Sequence, residues 1–184
     1  MAGQYKGRRL KTPNNYNIRP TTDRVKESIF NVIGSRIQDK KVLDLFSGTG
    51  SLGMESISRQ ASLVYFVEKN FKAIKIISYN INSLNISQKK YKIVKSDVIR
   101  FLKRFNEFKW DIIFLDPPYN ISSSKMKDVF GLLDTGGTIG DGTLMVYEYF
   151  FKKDIKSEIG NLEILKESFF GDKKVVYLTP RKRG

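Results

Sequence analysis

The chain has 184 residues and contains no cysteine and no histidine. It therefore forms no disulfide and no Cys/His zinc site, and it has no thiolate or imidazole for covalent or acid–base chemistry. Any chemistry falls to carboxylates, lysine, tyrosine, hydroxyls or backbone groups, and no metal site is expected. No apolar run reaches the roughly 18 residues a membrane helix needs. The opening Met1-Ala2-Gly3-Gln4-Tyr5-Lys6 has none of the apolar stretch of a signal peptide. These absences predict a cytoplasmic protein with no membrane partner. No internal repeat, low-complexity tract or Pro- or Gly-rich linker divides the chain. One domain spanning 1–184, a monomer, is expected, and a hydrophobic content of 40% suffices for its core.

Acidic residues are also scarce, 19 against 33 basic ones, for a net charge of +14. A polyanionic partner is the natural inference. Lysine outnumbers arginine 23 to 10 among these, as an AT-rich genome would produce, so a solvated basic surface is the competing reading. The charge clusters in Lys6, Arg8, Arg9 and Lys11 around Tyr5, and again in Arg181, Lys182 and Arg183.

After Arg19-Pro20-Thr21-Thr22, Val25, Ile29, Val32 and Ile33 recur at helical spacing, with Thr21 or Thr22 as N-cap. Strands and helices then alternate. Val42-Leu43-Asp44-Leu45-Phe46 reads as a buried strand, followed by a Gly-rich turn and a helix over 51–59. Leu63-Val64-Tyr65-Phe66-Val67 precedes a helix over 71–84, and Tyr91-Lys92-Ile93-Val94 a short helix over 98–105. Asp111-Ile112-Ile113-Phe114-Leu115 precedes a helix over 125–133, and Leu144-Met145-Val146-Tyr147 is a fifth strand. Residues 162–165 and 175–178 form an antiparallel hairpin around Gly171-Asp172. The pattern predicts an α/β, Rossmann-like fold: a doubly wound, mostly parallel sheet with a C-terminal antiparallel hairpin. Ligands on such sheets sit at the carboxyl ends of the strands, where Gly48, Gly50, Glu68, Asp97 and Asp116 fall.

Gly48-Thr49-Gly50-Ser51-Leu52-Gly53 fits G-x-G-x-x-G, and Glu68 follows near where a ribose-binding acid belongs. Read alone, this is a nicotinamide-dinucleotide fingerprint. Asp44 argues otherwise: it lies four residues before the first glycine, at the mouth of the site, and would repel a diphosphate. S-adenosylmethionine carries no phosphate; its sulfonium and ammonium groups favour a nearby acid. The glycines let the backbone come close, Glu68 is placed to accept both ribose hydroxyls, and Asp97 to accept from the adenine amino group.

Asp116-Pro117-Pro118-Tyr119 directly follows the fourth strand. Two prolines fix φ and remove two N–H donors, giving a rigid turn that presents carbonyl oxygens and a carboxylate. An attacking exocyclic amine needs acceptors that hold its hydrogens and aim its lone pair. Tyr119 offers a ring face for a flipped base.

These features together resemble the class I methyltransferases, and more narrowly the RsmD family. The likeness includes Gly3-Gln4-Tyr5-Lys6-Gly7-Arg8-Arg9-Leu10 and Arg19-Pro20-Thr21-Thr22-Asp23-Arg24-Val25-Lys26-Glu27. It continues through Leu43-Asp44-Leu45-Phe46-Ser47-Gly48-Thr49-Gly50, Glu68, Asp97 and the Asp116 loop. The resemblance implies methylation of a guanine 2-amino group in 16S ribosomal RNA, free or in an assembled small-subunit particle. It implies cofactor contacts at Asp44, Phe46, Gly48, Gly50, Glu68, Lys69, Asp97, Val98 and Thr21, and catalysis by Asp116, Pro117, Pro118 and Tyr119. It also implies a basic N-terminal extension over 1–24, packed on the cofactor and RNA face. There Lys6, Arg8, Arg9, Lys11, Arg19 and Arg24 would meet RNA.

Three other readings remain. A DNA adenine 6-amino methyltransferase uses a similar loop, although the length leaves no segment for a target-recognition domain. A non-catalytic RNA-binding subunit is opposed by the intact acids, and a nicotinamide-dependent oxidoreductase by Asp44.

Overall fold

The computed structural model describes residues 1–12 and 23–181. Thr21, Thr22 and Arg19, as well as Lys182 and Arg183, lie outside the described residues. A seven-stranded sheet runs in the order β3-β2-β1-β4-β5-β7-β6. Its strands are β1 (Lys41–Leu45), β2 (Leu63–Glu68), β3 (Tyr91–Lys95), β4 (Ile112–Leu115), β5 (Leu144–Phe150), β6 (Leu162–Phe170) and β7 (Lys173–Pro180). The first five are parallel; β7 runs antiparallel to β5 and β6. The expected doubly wound sheet with its antiparallel hairpin is therefore present. Parallel neighbours require crossovers, supplied by α2 (Ser51–Ser58), α3 (Phe71–Ser83), α4 (Val98–Leu102) and α5 (Ser123–Thr135), with α1 (Asp23–Ile33) preceding β1.

Both faces of the sheet are covered, so its central strands are buried along nearly their whole length. Alternation assigns the faces. Leu43, Leu45, Ile113 and Leu115 pack with α4 and α5, whereas Val42, Phe66, Ile112 and Phe114 pack with α1, α2 and α3. On α1 the buried set is Val25, Ile29, Phe30 and Ile33. Phe30 takes the place expected for Val32, its ring centroid 5.8 Å from that of Phe114.

Several boundaries differ from the sequence reading because side chains override propensity. β1 stops at Leu45, and Phe46 turns to φ 60, a left-handed conformation that costs a bulky residue energy. β4 starts only at Ile112, because the Asp111 carboxylate turns back to accept from the Lys41 N–H at 2.8 Å. The short helix ends at Leu102 rather than at 105.

Residues 1–12 hold one turn of 3-10 helix, Gly3–Tyr5. This segment packs on α2 and α3: the Ala2 N–H donates to Glu55 at 3.1 Å and the Tyr5 N–H to Ser58 at 2.9 Å. The Lys11 N–H donates to Asn80 Oδ1 at 2.8 Å. No described helix is long and apolar enough to cross a membrane.

Candidate active site

The chain leaves β1 for β2 and β3 on one side and returns to β4 and β5 on the other. That reversal opens a crevice at the carboxyl ends of β1 and β4. A cavity of about 710 Å³ occupies it, lined by Asp44, Glu68, Asp97 and Asp116 from four successive loops or strand ends. Phe46, Gly48, Lys69 and Val98 also line it, as do Pro117, Pro118 and Tyr119. The four acids, 72 residues apart at their extremes, thus share one space with the rest of the Asp116 loop.

Glu68 ties two loops together. Its Oε2 accepts from the Gly48 N–H at 2.9 Å and its Oε1 from the Asn70 N–H at 2.7 Å. Asn70 in turn caps α3, accepting from the Lys72 and Ala73 N–H groups, which otherwise have no partner in the helix. Each carboxylate oxygen keeps a further lone pair for a ligand.

Asp44 is not at the mouth, where the sequence reading put it. It is 2% exposed and its Oδ2 accepts from the Gly53 N–H at 3.0 Å, so it serves as the missing cap of α2, whose N-cap is Gly50. Burial pushes its pKa up to about 8; the Gly53 hydrogen bond opposes this, while the charges of Asp116 and Glu68 add to it.

Gly50 is set apart from the cavity lining. Its φ of 80 and the proximity of Ile77 and Phe66, each 3.2 Å from where a Cβ would stand, make it a turn and packing residue. Gly53 allows the close approach of α2 to β2, since a Cβ there would lie 2.2 Å from Phe66. Thr49 and Ser51 line the cavity instead.

Asp97 caps α4 through the Ile99 N–H at 3.0 Å and pairs with Lys125 of α5 at 3.0 Å. Burial raises its pKa, but the Lys125 hydrogen bond and the amides of the α4 N-terminus outweigh it, so the carboxyl titrates below its ordinary value.

The target side is built by a long-range pairing. The register sets Leu115 beside Tyr147, so Asp116 and Glu148 follow each other across β4 and β5; Phe150 stands beside Lys173 across β5 and β7. Lys173 lines the cavity and forms a buried ion pair with Glu148. Its Nζ lies 5.3 Å from the Tyr119 ring centroid. Burial alone would lower the Lys173 pKa; Glu148, the Tyr119 hydroxyl and the charge of Asp116 raise it above the ordinary value. Tyr119 itself is 59% exposed.

Sequence reasoning missed Asn70, Lys125, Lys173 and Glu148. Asn70 carries a signal, a capping residue just ahead of a helical pattern; the others carry none. Lys6, Arg8, Arg9, Lys11 and Arg24 are exposed and lie outside the cavity lining. Arg8, Arg9 and Lys11 border a second, smaller depression against Tyr79 of α3.

The chain matches over residues 1–179 the family described as "Conserved hypothetical protein 95". The Bacillus subtilis protein YlbH is 35% identical over 175 residues, 93% of this chain and 92% of its own length. A Buchnera aphidicola protein named "Ribosomal RNA small subunit methyltransferase D" is 32% identical over 84% of this chain and 79% of its own. The solved structure of the Escherichia coli protein yhhF superposes with a TM-score of 0.86 at 27% identity, covering 97% of this chain and 95% of that one. The chain belongs to this family, the RsmD family.

Proposed function

We propose that the protein transfers a methyl group from S-adenosylmethionine to the 2-amino group of a guanine in 16S ribosomal RNA. The observation that carries this reading is the meeting of a cofactor half and an amine-holding half in one cavity. Glu68, Gly48 and Asp97 line the first, and Asp116, Pro117, Pro118 and Tyr119 the second. Methyl transfer to ribosomal RNA is also what the names of relatives state.

The lining suits that cofactor. Asp44, buried and protonated at neutral pH, does not carry the repulsion expected of it from sequence. The carboxylates of Glu68, Asp97 and Asp116, which share the cavity, would repel a dinucleotide diphosphate and favour a ligand bearing an ammonium and a sulfonium. S-adenosylmethionine supplies an electrophilic methyl group when bound. Glu68 would accept from the ribose hydroxyls and Asp97 from the adenine amine.

On the other side, the Asp116 carboxylate and the Pro117 carbonyl would hold the two N–H groups of the target amine. That amine is a poor nucleophile, because its lone pair is delocalised into the ring. With no histidine in the chain, no imidazole is available to deprotonate it. The residues therefore act by positioning, and by stabilising positive charge as it develops on the nitrogen. The proton leaves after transfer, when the nitrogen is cationic and acidic. The exposed Tyr119 ring stacks the flipped base. Docking of the surrounding RNA is supported by charge. Seven lysines and no carboxylate lie between Glu68 and Asp97, and Lys75 and Lys95 stand 4.7 and 5.1 Å from the ring of the exposed Phe71.

Mapping radiolabelled methyl groups onto RNA and DNA from a deletion strain tests this reading. Label returning to a guanine 2-amino group of 16S RNA is expected. Label on DNA adenine would replace it with the adenine reading, and no label would remove both.

A further inference from the structure

Lys173 and Glu148 are 4% and 5% exposed, and their pairing adds little to stability. The cost of stripping water from two charges offsets their attraction, and apolar residues of similar size often do as well. Their position is specific, however. The antiparallel return of β7 delivers Lys173 to the carboxyl end of β5, with only β5 between its strand and β4, which leads into Asp116. The ammonium stands beside the Tyr119 ring, which is the expected stacking platform. Lys173 lines the cavity while Glu148 does not. Glu148 accepts one of the three N–H donors of the ammonium and fixes its place.

We propose that Lys173 is the specificity-determining residue of the target half, donating a hydrogen bond to a carbonyl oxygen of the base whose amine lies at Asp116, and so selecting guanine over adenine. This rests on the base-amine methylation reading above. Guanine carries its 2-amino group and its 6-oxo group on the same edge, the edge by which flipped bases are read. Adenine has an amine but no carbonyl. A fixed donor meets an acceptor in guanine, whereas in 2,6-diaminopurine, which keeps the 2-amino group, it meets a second donor. A site that hydrogen-bonds a buried polar group rejects analogues lacking it, because the site's own donor is then left unpaired. Glu148 also balances the Lys173 charge, so the pocket does not repel the positive charge that develops at the amine nitrogen.

The test is single-turnover methyl transfer to small-subunit particles reconstituted with 16S RNA carrying guanine, 2,6-diaminopurine or adenine at the target position. Wild type should prefer guanine by about 10- to 100-fold. Lys173→Met alone leaves Glu148 buried and unpaired, so the deciding variant is Lys173→Met combined with Glu148→Gln, which neutralises both. It should bind S-adenosylmethionine as wild type does, measured by calorimetry, and lose the preference to within about threefold. Lys173→Arg should retain part of it. A wild-type ratio near one, or a double variant that keeps the wild-type ratio, would overturn the role of Lys173 while leaving guanine methylation standing. Transfer to an adenine target and none to guanine would overturn both.

Discussion

Replacing Asp44 by Asn keeps the size of the side chain and an acceptor for the Gly53 N–H, and removes a charge that the fold has to bury. The carboxyl has an ordinary value of 3.8 and rises to about 8 in the native protein, chiefly through burial. A carboxyl whose pKa rises on folding takes up a proton when the chain folds. The native state is therefore penalised progressively as pH climbs from 3.8 towards 8, after which the penalty stays level. Between pH 5 and pH 7 the unfolded chain is ionised at this position and the native protein is mostly neutral. The penalty grows there by roughly 2–3 kcal/mol. Asp44→Asn escapes it. The variant should thus gain stability over wild type as pH rises, by roughly 5–10 °C in melting temperature between those two values for a chain of this size. Thermal unfolding of both proteins across pH 5–9 measures this directly, since titrating groups that do not interact with Asp44 cancel in the difference. A melting difference that does not change with pH, or that favours wild type as pH rises, would falsify the burial argument.

Four further outcomes follow. Glu68→Ala removes the acceptor for the Gly48 and Asn70 amides as well as the expected ribose contact; S-adenosylmethionine affinity should fall about 100-fold in a calorimetric titration, as ionised acceptors contribute roughly 1.5–3 kcal/mol each. Changing Lys6, Arg8, Arg9 and Lys11 together to Ala should flatten the dependence of RNA binding on salt by about 0.7 to 0.9 in log–log slope per lost phosphate contact, and leave cofactor affinity unchanged; an unmoved slope would assign these residues to a solvated surface. Asp116→Asn keeps an acceptor and loses the charge, so single-turnover methylation should slow strongly while cofactor binding changes little, and Tyr119→Ala should weaken substrate use through the loss of about 1–3 kcal/mol of stacking.

The strand–helix alternation was legible because both faces of the sheet are buried and the strands read as short continuous apolar runs. The helix starts are fixed by caps that the sequence reading did not use: Asn70, Asp97 and Ser122 each accept from the first turn of the helix they precede. The misread boundaries fall where one side chain decides the matter. Phe46 leaves the strand with positive φ to enter the site, and nothing in an apolar run marks that turn. Asp111 gives its carboxylate to the Lys41 amide, a partner 70 residues away.

The site divides by the same logic. Glu68, Asp97 and Asp116 each sit at the end of a parallel strand or within two residues of it, so strand order alone brings them to one edge of the sheet. Asp44 was identified as a site residue but misplaced, because strand alternation fixes which face a residue takes and says nothing of how deeply the following loop covers it. Lys173 could not be found from sequence at all. It opens a strand as one of two adjacent lysines, and nothing precedes it but a Gly-Asp turn. Its approach to Asp116 depends on β7 inserting between β5 and β6 rather than adding at the sheet edge. Had the hairpin docked in the reverse order, with β6 against β5, Lys173 would stand a strand farther away and Glu148 would be left buried without its cation. A carboxylate buried at that position in β5 is thus itself a constraint on the hairpin: its charge is tolerable only if the strand beside it brings a lysine. The pair that we assign to base selection also gives the C-terminal strands an electrostatic reason for their order.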